Sequence, residues 1–281
     1  MATAVPSRAP RIPAPLVEGA VRARHIVFLY VVIFAVTSVV GYKLGRSSDP
    51  LWQFAWQDFF GHLIAASLVA LVTLVVPELR RSLPVLYTPS RVPLAARDVV
   101  LFVALMWSWA YGASRVLFVF PLLEWRPGLF TLFGYQEHFP HVGAGFVLLY
   151  TLASAVIAPI TEELVFRGFL QNLWQHRFGL WPGVAFSALA FGLSHIQFTF
   201  FATLAGVFFS LIYIRFRSLV PGTLLHGLYN LAAAPFIFGP FFLEKNPARI
   251  GSLSSWIPEL VLAVFFFPLL VVFWRRFRPT P

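Results

Sequence analysis

Cysteine is missing from all 281 residues. Its absence excludes disulfides, thiolate zinc sites and cysteine nucleophiles. Charge is also scarce, at 11% of residues against about 25% in a typical soluble domain. With 59% hydrophobic residues and a mean hydropathy of +0.78, the chain is expected to be an integral membrane protein. The net charge of +10 does not imply nucleic acid, because the cations sit at the ends of apolar segments. No basic stripe alternates with exposed aromatics. No internal repeat is visible.

What is present is a series of apolar runs. They predict an all-α, polytopic transmembrane helix bundle of about eight spans, near 26–42, 59–77, 98–120, 143–160, 181–197, 198–214, 219–240 and 256–274. Each approximates the ~20 residues that cross a bilayer. Residues 1–25 hold four Pro and four Arg and read as a basic, mobile N-terminal tail. The run after it is taken as a retained helix and not a signal peptide, since the charged region is long and no small-x-small site follows. The reading divides the rest into N-terminal helices at 26–142, a core at 143–240, and a final helix with a basic tail at 241–281. Of the 21 Lys and Arg, fifteen fall in the inner segments and five in the outer ones, with Arg115 inside a span. That bias predicts both termini in the cytoplasm. The plasma (inner) membrane is the expected location.

Three pieces of the core carry ionisable or amide side chains. The first is Thr161-Glu162-Glu163-Leu164-Val165-Phe166-Arg167. Ionisable groups near hydrocarbon are costly and are functional candidates by default. Pro159 and Thr161 suggest a helix start, with Thr161 as N-cap and both carboxylates favoured by the helix dipole. Glu163 and Arg167, four apart, are read as a structural ion pair. Glu162 points about 100° away, toward a cavity. The bland alternative is an interfacial helix with a solvated charged face. The second piece is Phe191-Gly192-Leu193-Ser194-His195, where ring and imidazole share a face; Gly192 and Ser194 permit close helix packing. The third is His226-Gly227-Leu228-Tyr229-Asn230, whose His226 and Asn230 project together. Gly227 leaves room for a neighbouring backbone. A buried His can be a hydrogen-bonded core residue and an Asn can be inter-helix glue. All three pieces falling between 162 and 230 favours one site. His25, His62, His138, His141 and His176 lie near segment ends and are read as incidental, His62 with the least force.

These three motifs, in this order, resemble the CPBP family of intramembrane endopeptidases (CAAX protease and bacteriocin-processing, also called Abi). The resemblance covers roughly 145–240. It implies that Glu162 activates water with His195 beside it, and that His226 and Asn230 stabilise the oxyanion. The residue types suit that role: a carboxylate near apolar surface can serve as general base, and imidazole and amide N–H groups can donate to a tetrahedral oxyanion. The implied substrate is a membrane-anchored or C-terminal segment of a membrane protein or lipidated peptide, with membrane lipids as the other partner.

No cofactor is favoured. A divalent metal such as zinc remains an alternative, with Glu162, His195 and His226 as its ligands. The glutamic mechanism is preferred because a fourth ligand would be a weak Asn amide. The chain has no His-Glu-x-x-His and no Gly-x-Gly-Asp, and Gly192-Leu193-Ser194-His195 is not Gly-x-Ser-Gly. Two other classes stay open. One is a non-catalytic membrane partner of the bacteriocin self-immunity type. The other is a transporter, against which the missing inverted repeat weighs.

Overall fold

The structure is a computed structural model that describes residues 13–47, 50–114, 116–117, 144–195, 199–238 and 257–279. The described residues are helical wherever they are regular, with no strand among them. In chain order the helices are α1 (Ala14–Glu18), α2 (Ala23–Leu44), α3 (Pro50–Val75), α4 (Pro77–Leu86) and α5 (Ala96–Trp107), the last prolonged by a π-helical stretch, Ser108–Ala113. Then come α6 (Ala144–Phe178), α7 (Leu180–Ser194), α8 (Thr199–Phe216), α9 (Leu219–Phe238) and α10 (Ile257–Phe277). Five of these, α2, α3, α6, α8 and α10, contain stretches long and apolar enough to cross a membrane. Large apolar side chains such as Phe28, Val31, Leu148, Val264 and Phe265 are exposed on α2, α6 and α10, as lipid-facing surfaces require. The protein is an integral, multi-pass membrane protein.

The helix expected to begin at Thr161 does not begin there. α6 runs unbroken through both the apolar span at 143–160 and the polar segment at 161–178. Thr161 is not an N-cap: its hydroxyl donates to the carbonyl of Ile157, one turn back, at 3.0 Å. Pro159 lacks an N–H, yet it follows a π-helical stretch, Leu152–Ile157, where the backbone pairing is already rerouted. A second π-helical stretch, Glu163–Gln171, carries the charges. Glu162 and Glu163 therefore sit near the middle of a long helix. The dipole at a helix N-terminus does not act on them, so tertiary partners must hold them.

Within the expected tail, α1 is ordered and its Leu16 is buried against α4 and α6. One apolar side chain on the first turn after Pro13 is enough to dock it. α7 is 15 residues long, about 22 Å, which is short of the ~30 Å hydrocarbon core. It leaves α6 through Gly179, whose φ of 91° strains any other residue. α7 and α8 pack antiparallel. Gly192 allows this, since a Cβ there would lie 2.8 Å from the Thr199 carbonyl and collide with the Thr203 hydroxyl. His195 is consequently delivered by the tip of a short helix into the bundle.

The chain directions bring the starts of α2, α5, α7 and α9 and the ends of α3, α6, α8 and α10 to one end of the molecule. Two ties confirm it. Ala20 N–H donates to Glu78 Oε1 on α4, and Arg276 on α10 makes a bidentate pair with buried Asp98 on α5 at 2.9 and 3.1 Å.

Candidate functional site

The site is built on the middle of α6. Glu163 and Arg167 are fully buried, and Arg167 Nη1 lies 3.2 Å from Glu163 Oε1. Two charges out of water need more than each other. Arg167 donates through Nη2 to the Gly206 carbonyl on α8 at 3.2 Å. Its guanidinium also lies over two rings, 4.4 Å from the centroid of Phe191 and 5.1 Å from that of Phe209. The expected pair is present, but it has a third member. His226 on α9 donates from Nδ1 to the same Glu163 Oε1 at 3.1 Å. Phe209 stacks on the His226 ring at 4.3 Å and 26°. The ring is thus fixed in plane, and its Nδ1 carries the hydrogen, because the atom facing it is a carboxylate oxygen.

That leaves His226 Nε2 facing Glu162, 3.7 Å from Oε2. His195 approaches the other oxygen, with Nε2 4.0 Å from Glu162 Oε1. Its Nδ1 is spent on the Phe191 carbonyl, 2.8 Å away, so Nε2 is again the atom presented to the carboxylate. The Phe191 and His195 rings touch at 4.5 Å, as the shared helical face predicts. Glu162 retains 13% of its side-chain exposure and His195 31%, whereas Glu163 keeps 1%. The two adjacent carboxylates therefore part company: Glu163 is sealed in the core and Glu162 borders accessible space. Gaps of 3.7 and 4.0 Å are too long for direct hydrogen bonds and suit groups bridged by one water.

Asn230 is one turn beyond His226 on α9. Its Nδ2 donates to the Ser154 carbonyl at 2.7 Å, inside the first π-helical stretch of α6. One of its two N–H groups is therefore inter-helix glue, and the other is the one left for a ligand. Gly227 packs where a Cβ would collide with the Ala155 carbonyl, which is the close backbone approach its sequence position suggested. Tyr30 on α2 lies beside this rim, near Ser194 and within electrostatic range of Glu162.

Of the four expected polar groups, Glu162, His195 and His226 meet within 4.0 Å, with Glu163 and Arg167 beneath them, while Asn230 is held at Ser154, two turns before Glu162 on α6. Nothing in the sequence marks Phe209, one Phe among 32, or the Glu163–His226 bond, since the four-residue spacing points only to Arg167. Among the described residues, no three His, Cys, Asp or Glu are grouped as a metal site. His25 and His176 are exposed, and His138 and His141 lie outside the described residues.

Residues 144–232 match the family profile of type II CAAX prenyl endopeptidase Rce1-like proteins. The chain is also similar to a curated Escherichia coli protein, "Uncharacterized 24.3 kDa protein", with 33% identity over 87 residues. That alignment covers 28% of this chain and 40% of the relative, so the chain spans well under half the length of the protein it matches. No solved structure matches it.

Proposed function

We propose, from the match of residues 144–232 to type II CAAX prenyl endopeptidase Rce1-like proteins, that the chain is an intramembrane endopeptidase of the glutamic type. Its reaction is hydrolysis of a peptide bond in a membrane-anchored or C-terminal segment of another protein, at the plasma membrane. The observation that carries this reading is Glu162, partly accessible and flanked by two imidazole Nε2 atoms at 3.7 and 4.0 Å.

Glu162 takes a proton from water as the water oxygen attacks the scissile carbonyl. His195, held by the Phe191 carbonyl, orients that water. His226, which needs a hydrogen on both ring nitrogens for this step, and the second N–H of Asn230 receive the developing oxyanion; such donors contribute about 3–4 kcal/mol each. Glu163 and Arg167 hold His226 in plane and do not touch substrate. The apolar walls exclude bulk water and strengthen each of these interactions.

The test is a comparison of membrane-protein termini, by quantitative mass spectrometry, in cells carrying the native chain or Glu162→Gln at matched expression. Termini that vanish in the variant support the protease and identify its substrate. Identical termini, with the variant folded, sink it in favour of a binding or immunity role. General base catalysis is worth about 10²–10⁴-fold, so the purified variant should lose at least that much turnover. Turnover by the purified native protein should survive prolonged dialysis against a chelator; loss restored by added zinc would replace the glutamic mechanism with a metal-assisted one.

A further inference from the structure

His62 lies outside residues 144–232 and outside all three motifs. Asp58 and His62 are the only ionisable side chains on α3, whose seventeen residues beyond Asp58 carry no formal charge apart from what His62 can hold. Facing lipid, such a pair would be costly, and intramembrane ionisable residues turn to the bundle interior. The interior that α3 meets is α6, along the stretches that carry Ser154 and Glu162. Glu162 lies within electrostatic range of the His62 ring, and Tyr150 of α6 lies within range of Asp58.

The pair has the geometry of an acid–imidazole dyad. His62 Nδ1 donates to the Asp58 carbonyl at 2.8 Å and lies 3.3 Å from the Asp58 carboxylate. With Nδ1 held, Nε2 is the ring nitrogen left for proton transfer, and the side chain keeps 32% of its exposure. Hydrolysis at Glu162 moves one proton from water to the leaving amine, and Glu162 alone or a second group beside it can make the final transfer. Glu162 gains a proton when water attacks, and the departing amine must gain one when the C–N bond breaks.

We propose that His62, oriented by Asp58, is the general acid that protonates the leaving amine in the reaction at Glu162. This rests on the hydrolytic reading above. Water loses a proton to Glu162 and its oxygen bonds the carbonyl carbon. The tetrahedral oxyanion then collapses, the C–N bond breaks, and the amine takes the proton from His62 Nε2. The proton held by Glu162 returns to His62, which closes the cycle with one water consumed and no other reactant. Asp58 is a positioning residue, acting through His62.

The experiment uses the full chain in lipid nanodiscs and a quenched fluorescent peptide carrying the cut site defined by Glu162-dependent termini. His62→Ala and Asp58→Asn should each lower kcat by about 10²–10³-fold, with KM within about threefold, and the double variant should fall no further. Added imidazole should restore turnover to His62→Ala in a saturable way but not to His62→Phe, whose ring fills the space. A wild-type rate in His62→Ala, or a loss that imidazole leaves untouched, overturns the dyad. Should His62→Ala fail to fold, His62→Gln and Asp58→Asn decide the matter through the same split between kcat and KM. A native protein without Glu162-dependent cleavage would remove the hydrolytic reading and the dyad together; cleavage unaffected by His62 would remove the dyad alone.

Discussion

At the residue scale, the site turns on one carboxylate oxygen. Glu163 Oε1 serves Arg167 at 3.2 Å and His226 at 3.1 Å, so a buried ion pair doubles as the device that orients an imidazole. Stability and function can be separated there. Arg167→Met leaves Glu163 buried without its main partner, which should cost about 3–5 kcal/mol in unfolding experiments. Glu163→Leu combined with Arg167→Met removes both charges and should recover most of that stability. Turnover should stay about a hundredfold down, because His226 loses its anchor. Full activity in the double variant would mean that Phe209 stacking alone positions the ring. Phe191 serves twice as well, lending its carbonyl to His195 and its face to Arg167.

At the element scale, the placement of the proposed catalytic groups depends on how closely α9 lies against α6. Gly227 abuts the Ala155 carbonyl, and Asn230 is tied to Ser154 a turn away. Both contacts fall in the π-helical stretch of α6, where carbonyls are less regularly paired along the helix. Gly227→Ala should push the two helices apart, costing about 1–3 kcal/mol in thermal or denaturant unfolding of the detergent-solubilised protein. His226 and Asn230 should then move away from Glu162, lowering turnover in the same variant. Unchanged stability would mean that α9 can slide without penalty. The short α7 works the same way: its length stops His195 at the level of Glu162, and lengthening it by one turn would carry the imidazole past.

At the scale of the whole molecule, most of the described Lys and Arg lie at one end, where the Arg276–Asp98 pair clamps the last helix to the fifth. Because the chain has no cysteine, it is its own background for site-directed labelling. Arg24→Cys and Arg278→Cys should both react only from the cytoplasmic side in intact cells, as the charge bias requires; labelling of either from outside would refute the expected topology. The sequence by itself determined the membrane class and the helical class, and it singled out Glu162, Glu163, Arg167, His195, His226 and Asn230 as site candidates. Hydropathy and helical spacing are local properties, and rare polar residues in an apolar chain stand out without a structure. Tertiary structure decided what spacing cannot encode. Thr161 lies mid-helix because π turns absorb Pro159, His226 binds Glu163 across 63 residues of chain, Phe209 stacks on His226, and α3 packs its length against α6. Which helix faces which is a long-range packing result, and an i, i+4 pattern is silent about partners outside its own helix.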